Sequence, residues 1–86
     1  MSTRRLPLKA LYDEARAKHG RLKDVPPQYL NEEGIAELKA WRCIELTAGF
    51  ALNVEDLKIG IEVAIESERD PAVAARLRAY IGKIEQ

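Results

Sequence analysis

The sequence predicts an all-α fold, a small bundle of about four short helices, from three observations. Helix-start residues recur at Asn31, Asn53 and Asp70, each just ahead of a segment with helical apolar spacing. Acidic pairs follow both asparagines, and Pro71 follows Asp70 in the first helical position, where its missing N–H is no loss. Apolar residues recur three and four positions apart over much of the chain. One stretch competes with this reading. From Ile44 to Leu52, and again from Leu57 to Ile65, apolar residues fall on every second position. That is the pattern of a β-hairpin, so the alternative is an α+β fold with a hairpin at about residues 43–66 flanked by helices.

Taken in order, the first helix is expected near Leu6, with Pro7 in its first turn and Leu8, Leu11, Tyr12 and Ala15 on one face. Gly20 is the expected stop, with Lys18 and His19 in the last turn, where positive charge suits the helix dipole. Pro26 and Pro27 then mark an extended connection that Val25, Tyr29 and Leu30 can pack onto the body. The second helix follows Asn31 and carries Ile35, Leu38 and Trp41 along a face. Gly49 with Phe50 resembles its C-terminal stop. A third helix from Asn53 would gather Val54, Leu57, Ile61, Ala64 and Ile65 into one stripe. The fourth, from Asp70, has Val73, Leu77, Tyr80, Ile81 and Ile84 inward and Arg76, Arg78 and Lys83 off that stripe.

Eighty-six residues, 47% apolar and 33% charged, make one small globular domain over 1–86, with residues 1–5 as a mobile arm. Net charge is zero but unevenly spread. Residues 1–23 hold seven basic residues against two acids, 24–70 four against eleven, and 71–86 three against one. A basic arm on an acidic body suits an acidic partner surface. The single cysteine excludes an internal disulfide and a cysteine metal cage. No apolar run is long enough to span a membrane, and Arg4 and Arg5 do not lead into the apolar core of a secretory signal. A cytoplasmic protein without a membrane role is the expectation.

Chemistry finds few candidates. His19 is the lone histidine, read as a solvated helix-end residue, and nothing pairs it with a nucleophile. Cys43 reads as a structural thiol. The acids between Glu55 and Glu68 lack the spacing of a calcium loop, so no metal or cofactor is expected, nor enzymatic activity. Residues 48–62 can be forced into a helix-turn-helix, but its second helix would set Glu55, Asp56, Glu62 and Glu66 against Lys58 alone. Contact with an acidic protein, or with nucleic acid, would use Arg4, Arg5, Lys9, Arg16, Lys18, Arg21 and Lys23.

The apolar residues point elsewhere. A third helix would leave Ile59 and Val63 opposite its inward stripe, and a hairpin would leave unpaired edges. Both ask for a second copy, with Trp41 and Phe50 as further anchors of the contact. The functional expectation is a non-enzymatic interaction module, such as an adaptor, inhibitor or accessory subunit, that forms a homodimer. The alternative is a DNA-binding regulator that contacts phosphates through the basic N-terminal segment.

Overall fold

The computed structural model describes residues 7–85, which form four α-helices and one short 3-10 turn. The helices are α1 (Leu8–Lys23), α2 (Glu32–Phe50), α3 (Val54–Ser67) and α4 (Pro71–Ile84). No strand occurs among the described residues, so the all-α expectation holds and the hairpin at 43–66 is overturned. The arm at 1–5, the expected start at Leu6, and with them Arg4 and Arg5 lie outside the described residues.

Three side-chain caps set the helix starts. Asn31 accepts from the Gly34 N–H at 2.8 Å, Asn53 from the Asp56 N–H at 2.8 Å, and Asp70 from the Ala72 N–H at 2.9 Å. Each satisfies an amide that the helix itself leaves unpaired, worth about 1 kcal/mol. The α2–α3 turn is fixed twice, because the Asp56 carboxylate also accepts from the Leu52 N–H at 3.0 Å. Only residues 51–53 separate the two helices.

The glycine stops move. α1 passes through Gly20 and ends at Lys23, and α2 passes through Gly49 to Phe50. Leu22 supplies a reason to continue, since it is half-buried, and the approach to Pro26 supplies the stop. Pro7 stands ahead of α1 with extended backbone (φ −65°, ψ 153°), not inside the first turn, and its carbonyl accepts from Ala10 and Leu11. In the connection Val25 and Leu30 are half-buried, whereas Tyr29 is 75% exposed and does not pack the linker down.

The core of α2 is also rotated from the expected face. Ala36, Ala40, Ile44 and Ala48 are buried, while Ile35 is 39% exposed and Leu38 and Trp41 are half-buried. Small residues win this face because α1 packs along it more extensively than any other pair of helices, meeting it with Leu11 and Ala15. Leu57 and Ile61 of α3 and Val73, Leu77, Tyr80, Ile81 and Ile84 of α4 complete one core, as their spacing predicts.

α3 approaches α2 at one point too closely for a side chain. A Cβ at Gly60 would stand 2.6 Å from Thr47 Cγ2. Thr47 cannot easily rotate away, because it is β-branched and its hydroxyl donates to the Cys43 carbonyl at 2.7 Å. Gly60→Ala should therefore lower stability by about 1–2 kcal/mol, against the roughly 1 kcal/mol gain that helix propensity alone would give. Thr47→Ser, which removes that methyl, should recover most of the loss in the double variant. Gly20→Ala meets nothing within 4 Å and should stabilise by about 0.5–1 kcal/mol. Thermal melts of the four variants decide this, and a rise in Tm for Gly60→Ala would contradict the close approach.

Candidate functional site

The expected interface residues separate onto two faces. Nine residues part Trp41 from Phe50, and at about 100° per residue that sets them on opposite sides of α2. Phe50 is 86% exposed. It borders a shallow groove between α2 and α3 together with Thr47, Asp56, Ile59 and Gly60. Leu46, 55% exposed, lies one turn before Phe50, and Val63, 59% exposed, lies one turn after Ile59, itself 56% exposed. Leu52, 87% exposed, sits in the turn beside them. Phe50, Ile59 and Val63 are among the residues expected at a contact from the sequence; Leu46 and Leu52 are not. The signal for both was present in the period-two pattern, since Leu46 precedes Phe50 by four residues.

Charge flanks this apolar face unevenly. Lys39 and Arg42 fall on the same side of α2 as Leu46, and Glu66 falls in line with Ile59 and Val63 on α3. None of the three has an ion-pair partner among the described residues.

Trp41 belongs to the other face. Its ring meets Tyr80 edge-on, with centroids 5.6 Å apart and planes at 82°, and Lys18 Nζ lies 4.7 Å from the Trp41 ring centre. The basic segment divides accordingly. Lys18 and Arg21 border a depression at Trp41. Lys9, Arg16 and Lys23 recur at seven-residue intervals along a different, exposed side of α1. Lys9 is paired with Asp13 at 2.9 Å.

The helix-turn-helix that residues 48–62 can be forced into meets a physical obstacle. α2, a three-residue turn and α3 have the right order, but the outward face of α3 carries Ile59, Val63 and Glu66. Its one cation, Lys58, is held by Glu85 at 2.5 Å, which raises the lysine's pKa through the hydrogen bond and the paired charge. That helix offers no surface to phosphates.

The two chemically reactive side chains, His19 and Cys43, both lie within the helix packing. His19 is not a solvated end residue. Its Nδ1 is 2.6 Å from Glu45 Oε1, and the pair ties α1 to α2 with both side chains largely covered. Burial pushes the Cys43 thiol above its ordinary range; the Thr47 hydroxyl opposes this and Glu68 adds to it. Among the described residues no group of histidine, cysteine and acidic side chains could hold a metal ion, and no helix is long and apolar enough to cross a membrane.

No family model, no curated protein and no solved structure matches this chain.

Two outcomes follow from these environments. Cys43 should react several-fold more slowly than glutathione with iodoacetamide at pH 8, because the protonated thiol is a poor nucleophile. Equal or faster modification would show the thiol to be activated. Tyr80 is 4% exposed and its hydroxyl has no hydrogen-bond partner among the described residues, and burial, with Glu14 nearby, pushes its pKa up to about 12. Since the folded state keeps this proton longer than the unfolded one, the contribution is full below pH 10 and is lost as pH rises toward 12. Between about pH 9 and 11 the wild type should lose roughly 1.4 kcal/mol more stability than Tyr80→Phe in denaturant titrations. Identical pH profiles for the two proteins would count against it.

Proposed function

We propose that the protein is a non-enzymatic interaction module that self-associates through the α2–α3 face, leaving its basic α1 side open to an acidic protein partner. The observation that carries this is the exposed apolar face of α2 and α3: Phe50 and Ile59 border one groove, Leu46 and Val63 lie one turn further along their helices, and Leu52 sits in the connecting turn. At roughly 150–250 Å² for a fully exposed aromatic side chain, and somewhat less for an aliphatic one, these five leave on the order of 600 Å² uncovered. That is at the upper end of the largest apolar patch on an ordinary monomer. It also approaches the roughly 800 Å² that each partner contributes to a standard interface.

A second copy is the occupant that the flanking charges favour. Thr47 lies against Gly60 and Glu68 influences Cys43, so α3 runs back along α2. A two-fold axis parallel to this helix pair sets α2 of one copy over α3 of the other. The apolar residues then meet at the centre, while Lys39 and Arg42 face Glu66 across the rim. Such a contact is self-complementary and closes at two copies.

The remaining features are consistent with a binding role. His19 and Cys43 are both committed to helix packing, and a lone thiol of raised pKa suits the reducing cytoplasm, which we take as the compartment. Adaptor, inhibitor and accessory subunit all share this physical description.

Sedimentation equilibrium tests the reading. The wild type should be dimeric at high micromolar concentration. Phe50→Asp and Val63→Lys should each be monomeric with unchanged helix content, since both side chains are already exposed. Arg42→Glu should weaken the dimer by about tenfold, and adding Glu66→Arg should restore part of it. A wild type that stays monomeric to about 500 µM, well above the micromolar range, removes self-association. A dimer indifferent to Phe50→Asp moves it to another face.

A further inference from the structure

The face built around Trp41 is a second, differently made surface. Toward α4 lies a cleft of about 210 Å³, floored by Ala40, Ile44, Trp41 and Tyr80 and edged by Arg76 and Lys83. Toward α1 lies a more open depression of about 230 Å³, bordered by Lys18, Arg21 and Leu22. Trp41 and Glu37 border both, so the two hollows meet at the half-buried indole.

Charge around the indole is not balanced. Glu14 serves two lysines at once, Lys83 at 3.3 Å and Lys18 at 3.8 Å. Arg21 and Arg76 have no ion-pair partner among the described residues. Arg76 is also half-buried. A guanidinium partly withdrawn from water, beside an aromatic floor and without its own carboxylate, is arranged for a carboxylate that arrives from outside. With Glu14 shared between the lysines and Glu37 on the rim, two acids stand against four cations, an excess of two positive charges centred on Arg21 and Arg76.

We infer that this face docks an acidic peptide segment that carries one large apolar side chain between carboxylates. The apolar side chain enters the α2–α4 cleft against Trp41 and Tyr80. Carboxylates on one side of it reach Arg76 and Lys83, and those on the other reach Lys18 and Arg21. Two adjoining hollows suit an extended chain better than a small free acid, which would use only the deeper one. The concave apolar floor and the Glu37 carboxylate suit a peptide better than a polyphosphate backbone. The inference rests on reading the chain as an interaction module, and supplies the place and chemistry of the partner, but it does not depend on dimerisation.

Trp41 is the sole tryptophan and reports directly on its own surroundings. The probe is a capped peptide with one phenylalanine between two pairs of glutamates, titrated against Trp41 emission in the wild type and in Phe50→Asp. A saturable change is expected in both proteins, weakening as salt rises. The same peptide with glutamines should bind at least about tenfold less tightly, and Arg76→Gln should weaken the acidic peptide about fivefold or more with Tm unchanged. The inference is overturned by no saturable change up to about millimolar peptide, a concentration that detects even a 4 kcal/mol interaction. It is equally overturned by equal binding of the glutamine peptide, or by an Arg76→Gln variant that binds as before. Phenylacetate alone binding as tightly as the peptide would show a small-acid pocket instead. Binding to Phe50→Asp keeps the two ideas apart: the peptide site survives there even if the chain never dimerises, and a dimer without peptide binding removes this inference alone.

Discussion

The arrangement of the exposed apolar face depends on the close contact between Thr47 and Gly60. Without a side chain at Gly60, α3 can come within van der Waals reach of the Thr47 methyl. Thr47 is itself held by its bond to the Cys43 carbonyl. The paired bonds of Asn53 and Asp56 then fix how α3 leaves the turn. With position and exit both set, Phe50 and Ile59 have to border the same groove. A bulkier residue at position 60 would push α3 outward and open the floor of that groove, so core packing and surface shape are one problem here.

The period-two pattern, misleading as to strand, is informative as to face. Two residues advance a helix by about 200°, so apolar residues on alternate positions supply two stripes on nearly opposite sides. In α2 the stripes are Ile44 with Ala48, buried, and Leu46 with Phe50, exposed. In α3 they are Leu57 with Ile61, fully buried, and Ile59 with Val63, more than half exposed. A helix in a small monomer needs only the first stripe. The second adds nothing to the stability of the isolated chain and works against its solubility. Two adjacent helices carrying it, aligned by one tight contact, is the physical case for an external partner.

Legibility followed the range of the interaction. The caps at Asn31, Asn53 and Asp70 act within three residues and could be read directly, as could the inward stripe of α4. Gly20 and Gly49 were misleading because a glycine marks a helix end only when packing does not carry the helix past it. Ile35, Leu38 and Trp41 gave way to Ala36, Ala40 and Ala48 as the buried face of α2, since close approach of α1 favours small residues over large ones. The His19–Glu45 bond joins residues 26 apart in the chain, and no local pattern announces it. Trp41 and Phe50 were expected at one interface, yet they lie on opposite sides of α2. Sequence proximity on a helix says nothing of side until the angle is counted.

The separation of the two faces has a consequence for any assembly. Trp41 and Phe50 point away from opposite sides of α2, so joining two copies through α3 and the Phe50 side leaves both Trp41 faces uncovered. Charge supports the same division, since α1 and α4 supply the cations at Trp41 while α3 supplies most of the acid on the other side. A dimer built this way presents two equivalent basic, aromatic clefts on a rigid frame. Each alone, with charges exposed to solvent and a small cleft, would bind weakly. Two held at fixed separation make the second engagement intramolecular, so a partner with repeated acidic segments, or a partner that is itself a dimer, would be retained far more firmly than a single segment. Self-association would then do more than cover an apolar surface: it would convert a weak site into a selective one, discriminating partners by the spacing of their acidic segments.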